Sequence, residues 1–222
     1  MAYGFLCVLC AVLAAVFISF EHKEKHVLGV TFKGLASLCF VVLGAIAFAT
    51  AANAGFAKLV LIGLILGCVA DVMLNLRFVF PRQGQKIFLV GIVIFLSGHV
   101  VYLAALLGKV ALPWLWLAIG AVGTFFLIRW IFTKINAKKA FKIFGVFYLG
   151  AIMLMTCTAL GTLITAFSLQ AVLFAVGSVS FLVSDIVLIL NTFGSETKFS
   201  LRITNLGFYY LGQLLIALSL LG

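Results

Sequence analysis

Two aspartates, Asp71 and Asp185, lie inside long apolar stretches of a 222-residue chain that holds only five acidic residues. An ionised carboxylate in such surroundings is costly, so an acid kept there is expected to carry function. Burial favours the protonated form of a carboxyl, and two neighbouring acids do not both ionise easily. The natural outcome is one proton shared between them, which puts a general acid and a general base in one site. Glycoside hydrolysis and aspartic proteolysis use such pairs. A proton-coupled carrier would also place paired acids inside a membrane.

Other polar side chains in apolar stretches fall at a similar depth. Asp71 lies six residues before Arg77, and Asp185 six before Asn191. At about 1.5 Å of rise per residue, each acid sits roughly 9 Å inside the boundary those residues mark. Lys33, Asn75, Tyr148 and Asn205 share the layer, which predicts a polar pocket open to one face of the membrane. His99 stands 13 residues beyond Lys86, so about 20 Å in and roughly 10 Å deeper than the acids. It and Gln213 are expected to form a wall rather than to touch a carboxyl. No serine elbow, phosphate-cradling glycine loop or His/Cys metal cluster is present, and neither metal nor cofactor is expected. Cys7, Cys10, Cys39, Cys68 and Cys157 show no metal or disulfide spacing and are expected to pack as small hydrophobes.

The elements that hold these residues follow from composition. The chain is 66% hydrophobic and 9% charged, against about a quarter charged in an ordinary soluble domain. About 20 apolar residues cross the hydrocarbon of a bilayer. Eight runs meet that length, at 2–20, 30–52, 57–76, 87–108, 110–132, 141–165, 170–191 and 203–221. They lack the alternation of a membrane β-strand, and backbone groups in lipid must be satisfied within the segment. The expected fold is all-α, a polytopic membrane protein of eight transmembrane helices in one integral membrane domain, 1–222. The run of Glu21, His22, Lys23, Glu24 and Lys25 after the first helix predicts a retained helix rather than a signal peptide.

Thirteen of the fifteen Lys and Arg residues fall in the odd-numbered gaps, leaving Lys58 and Lys109 in the even ones. By the positive-inside bias the odd gaps are cytoplasmic and both termini non-cytoplasmic. The net charge of +10 therefore reflects membrane topology. No soluble basic module is present to bind nucleic acid. Glu21, Glu24 and Glu196 are expected to be solvated charges. A shift of 114 residues places Gly63 on Gly177, Asp71 on Asp185 and Gly98-His99 on Gly212-Gln213. A parallel 4+4 internal repeat, with halves 1–109 and 110–222, is expected.

The motifs resemble the YhhN-like lysoplasmalogenase family. In the third helix they are Gly63-Leu64 and Asp71-Val72-Met73-Leu74; in the fourth, Gly91, Phe95, His99 and Tyr102. The seventh carries Gly177, Phe181, Ser184-Asp185, Leu188 and Phe193. The eighth carries Tyr209-Tyr210, Gln213, Ile216 and Ser219. Lys33, and Tyr148 with Met155, fit as well; Ala70, Gly67 and Gly34 depart from the pattern. The resemblance implies cleavage of the vinyl ether bond of lysoplasmalogens to a fatty aldehyde and glycerophosphoethanolamine or glycerophosphocholine. Asp71 and Asp185 would be the catalytic acid–base pair. Lys33 would meet the phosphate, and Tyr148 and Asn205 the glycerol or the water. Asn75 and Tyr209 would belong to the substrate-binding set, and side chains around His99 and Gln213 would hold the alkenyl chain. The expected partners are a lysophospholipid and membrane lipids. The expected place is a bacterial inner membrane, with the site toward the cytoplasm. A small proton-coupled transporter and a non-catalytic lipid-binding protein are the rival readings.

Overall fold

The computed structural model describes residues 2–221. It is built of eight long helices, α1 (Ala2–His22), α2 (His26–Phe48), α3 (Ala54–Val79), α4 (Gly84–Leu107), α5 (Pro113–Phe132), α6 (Lys139–Thr165), α7 (Leu169–Phe193) and α8 (Phe199–Leu218). All eight are long and apolar enough to cross a membrane, and no strand occurs among the described residues.

Helix ends fall where caps place them. Asn53 accepts a bond from the Phe56 backbone N–H at 2.9 Å and starts α3 three residues before the apolar run begins. The residues 49–52 read as the end of α2 belong instead to the turn ahead of that cap. Ser168 caps α7 in the same way, accepting from Ala171 N–H at 3.1 Å. Pro113 opens α5, with Leu112 before it in the left-handed region at φ 54°. Pro81 sits in a short 3-10 turn, Pro81–Gln83, between α3 and α4.

Six helices close a circuit. α2 packs on α3, α3 on α4, α4 on α6, α6 on α7, α7 on α8, and α8 returns to α2. α1 lies outside against α2 and α8, and α5 outside against α6. The outward faces are apolar, with Phe147, Ile164 and Phe126 among the exposed side chains. The inward faces bury Lys33, Ser37, Asp71, His99, Ser184, Asp185, Asn205 and Gln213. This inside-out distribution suits a lipid surround, where polar groups must find partners within the bundle.

Burial repeats along the chain. Gly63, Leu64, Gly67, Ala70 and Asp71 of α3 are buried, and so are Gly177, Ser178, Phe181, Ser184 and Asp185, each 114 residues on. In α4, Gly91, Phe95, Gly98, His99 and Tyr102 have buried counterparts in Asn205, Tyr209, Gly212, Gln213 and Ile216 of α8. The glycines set close helix contacts in both pairs. A Cβ on Gly98 would lie 3.5 Å from the Gly63 carbonyl oxygen, and one on Gly212 would lie 2.9 Å from that of Gly177.

Candidate active site

Asp71, on α3, is almost completely enclosed by donors. The Lys33 ammonium of α2 lies 3.1 Å from Oδ1. Ser37, one turn further along α2, donates to Oδ2 at 2.5 Å, and Tyr209 of α8 donates to the same oxygen at 2.5 Å. The tyrosine continues the chain of bonds, accepting from Gln213 Nε2 at 3.3 Å. Gln213 Oε1 in turn accepts from Tyr102 of α4 at 3.0 Å. Asn75 donates back to the Asp71 carbonyl at 3.0 Å.

Asp185, on α7, is held differently. Tyr148 of α6 donates to its Oδ2 at 2.9 Å, and among the described residues no other side chain hydrogen-bonds the carboxyl. No hydrogen bond joins Asp71 to Asp185 directly. One aromatic ring packs near the donor of each. The Phe95 ring lies 5.9 Å from Tyr209 and 6.3 Å from Tyr148.

A cavity of about 120 Å³ opens at the end of the bundle that carries most of the basic residues. Lys33 and Tyr148, the side chains that touch the two acids, both line it, as does Asn75. Its apolar wall comes from phenylalanines, among them Phe88, Phe141, Phe144 and Phe193. Arg77 and Arg202 complete the lining. Arg202 is taken up by a two-pronged pair with Glu21, at 2.8 and 2.7 Å. Glu21 is thus tied to α8 rather than solvated. Arg77 has its guanidinium 4.5 Å from the Phe78 ring centroid and 4.4 Å from that of Phe88. Among the described residues no carboxylate pairs with it, and its buried Nε has no hydrogen-bond partner.

Several expectations change at this point. Lys33, expected at a phosphate, is the counter-ion of Asp71. Asn205, expected at glycerol or water, spends its side chain on a helix clamp. It donates to the Ser184 carbonyl at 2.9 Å and to the Ser184 hydroxyl at 2.8 Å, and accepts from Arg202 at 3.1 Å. The region around His99 and Gln213, expected to hold an alkyl chain, is packed with rings. His99 lies 4.7 Å from Phe181, 5.5 Å from Phe95 and 5.6 Å from Tyr148.

His99 stands about as far beyond the acids' layer as its backbone depth implies. Gly91 packs on Leu74, and Gly98 on Gly63, Leu66 and Gly67, which puts the His99 backbone about six residues, roughly 9 Å, beyond Asp71. Side chains lean toward the start of their helix, and α3 and α4 run antiparallel, so acid and imidazole lean toward one another. His99 forms no hydrogen bond to either carboxyl, and both its ring nitrogens are buried without a partner among the described residues.

Ser37, Arg77 and Arg202 escaped the sequence reading. Ser37 stands four residues after Lys33, one helical turn on the same face, which is the signal that points to it. Arg77 was read as a boundary marker, whereas α3 runs on to Val79. Among the described residues, no three His, Cys, Asp or Glu side chains gather as metal ligands do. Cys10 and Cys39 are buried in helix packing, and all five cysteines are free thiols.

Enclosed acids, a cationic mouth and a phenylalanine wall together suit an amphiphile with an anionic head and an acid-labile bond. Residues 28–220 match the model of the YhhN family, which includes lysoplasmalogenases. No curated protein and no solved structure matches the chain.

Proposed function

This chain belongs to the YhhN family, and on that premise we propose that it is a membrane-embedded lysoplasmalogenase. It would cleave the vinyl ether bond of a lysoplasmalogen to a fatty aldehyde and glycerophosphoethanolamine or glycerophosphocholine. One observation carries the reading: Lys33 and Tyr148 line one cavity, and each bonds one of the two buried acids. A substrate in that cavity stands one side chain away from both Asp71 and Asp185.

Vinyl ether hydrolysis requires a proton on the β-carbon, an oxocarbenium ion stabilised next to it, and water guided onto the adjacent carbon. Paired carboxyl groups supply the proton, the counter-charge and the base. The phosphate would meet Arg77, whose guanidinium has no carboxylate partner, rather than Lys33. The alkenyl chain would lie along the phenylalanine wall of the cavity. The equivalent burial of α3–α4 and α7–α8 supports a parallel duplication with halves 1–109 and 110–222. By the positive-inside bias, the basic residues at the cavity end support a mouth toward the cytoplasm, and a bacterial inner membrane is the location proposed with it.

The test is to incubate the purified protein with a lysoplasmalogen and measure released aldehyde. The 1-alkyl ether analogue, which lacks the double bond, should be left intact. Solute uptake into proteoliposomes with no aldehyde formed would favour a proton-coupled carrier and overturn the reading.

A further inference from the structure

The two acids occupy equivalent places in the two halves but not equivalent surroundings. Tyr209, which donates to Asp71, has its counterpart 114 residues earlier in Phe95, which has no polar atom to offer. Lys33 bonds Asp71 from α2, and Tyr148 bonds Asp185 from the corresponding helix α6. Lys33 itself falls on Phe147, and a neutral phenol from the next position stands in the second half where a cation stands in the first. Ser37 likewise donates to Asp71, while Ala151 and Ile152, at and beside the corresponding place in α6, are apolar. Three donors surround one carboxyl and one donor serves the other.

We infer that the duplicated acids have divided the chemistry, with Asp185 entering the reaction as the proton donor and Asp71 as the standing anion. The assignment of steps rests on the vinyl ether reading; the assignment of charge rests on the donors alone. A buried carboxylate persists when a counter-ion and hydrogen bonds replace water, and Asp71 has all of these. Among the described residues no cation pairs with Asp185, and a second negative charge close to a first is costly.

The steps balance on this assignment. Asp185 gives its proton to the β-carbon as the double-bond electrons form the new C–H bond, leaving an oxocarbenium ion that the negative charge of Asp71 helps to stabilise. Water attacks the cationic carbon, and Asp71 takes the proton that the water releases. In the collapse of the hemiacetal, Asp71 returns that proton to the departing glycerol oxygen as the C–O bond breaks. Asp185 takes the hemiacetal hydroxyl proton as the aldehyde C=O forms. Both acids end as they began, and one water has been consumed.

Infrared spectroscopy of the purified chain in lipid at neutral pH tests the division directly. The chain has only five acidic residues, so the carbonyl stretch of a protonated carboxyl is open to assignment. Wild type should show one such band, shifted by deuterium oxide. D185N should lose it, D71N should keep it, and D185E should move it, a check that does not depend on the Asn variant folding well. Loss of the band in D71N, or no protonated band in wild type, overturns the assignment. The band appears without turnover. A protein that shows it and releases no aldehyde refutes the hydrolase reading and leaves the division of charge in place.

Discussion

Tyr148 stands between Asp185 and the cavity, its hydroxyl donating to the carboxyl at 2.9 Å while the same side chain forms part of the cavity wall. A group at that position both orients the acid and decides what reaches it. Removing the hydroxyl alone should therefore slow turnover without closing the cavity. Y148F is expected to lower kcat by about fivefold, the scale of a hydrogen bond between neutral groups. The same substitution in a D185N background should cost nothing further, because the two side chains act as a unit. Additive losses in the double variant would mean that Tyr148 acts on something other than Asp185.

Lys33 and Asp71 form a buried pair, and removing one member of such a pair is far costlier than removing both. K33M should lower stability by about 3–5 kcal/mol, the scale of an uncompensated buried charge. K33M/D71N should recover most of that loss. Thermal unfolding in detergent gives both values. Equal melting temperatures for the single and double variants would show that the ammonium does not compensate Asp71.

Arg77 lines the cavity with its guanidinium stacked near two phenylalanine rings and no carboxylate beside it. R77A should raise the KM for lysoplasmalogen by about tenfold, from about 1.5 kcal/mol for a charge-assisted hydrogen bond. The kcat should change much less. Unchanged KM with a lowered kcat would remove Arg77 from the phosphate and place it in the chemical step.

The α7–α8 contact tests the packing that delivers Asp185. A Cβ on Gly212 would meet the Gly177 carbonyl at 2.9 Å and the Phe181 nitrogen at 3.2 Å, both backbone atoms. G212A should destabilise the bundle by about 1–3 kcal/mol, as overpacking does. Gly207, on the same helix, has open space where its Cβ would go. G207A should be neutral or slightly stabilising. Equal effects of the two in a detergent melt would contradict the close approach of these helices.

The eight spans and the two acids are legible in the sequence because both are one-dimensional signals. Apolar length is counted directly, and a carboxyl inside an apolar run stands out against everything around it. The neighbours of those acids are not one-dimensional. That Lys33 meets Asp71 depends on α2 lying beside α3 in the circuit of helices. That Asn205 is spent on Ser184 depends on the α7–α8 pairing and on Arg202 arriving from one turn before it. His99 keeps clear of both carboxyls, as helical rise alone predicts. Arg77 was hidden by its own charge, which reads as the end of a span when it lies inside one.

The proposal that two acids from separate helices act on one bond is tested most directly by aldehyde release from a lysoplasmalogen, measured for wild type, D71N and D185N side by side. Wild type should release aldehyde, and each variant should lose about 10²–10⁴-fold in rate, the range for removing a general acid or base. Full turnover by either variant would contradict the account.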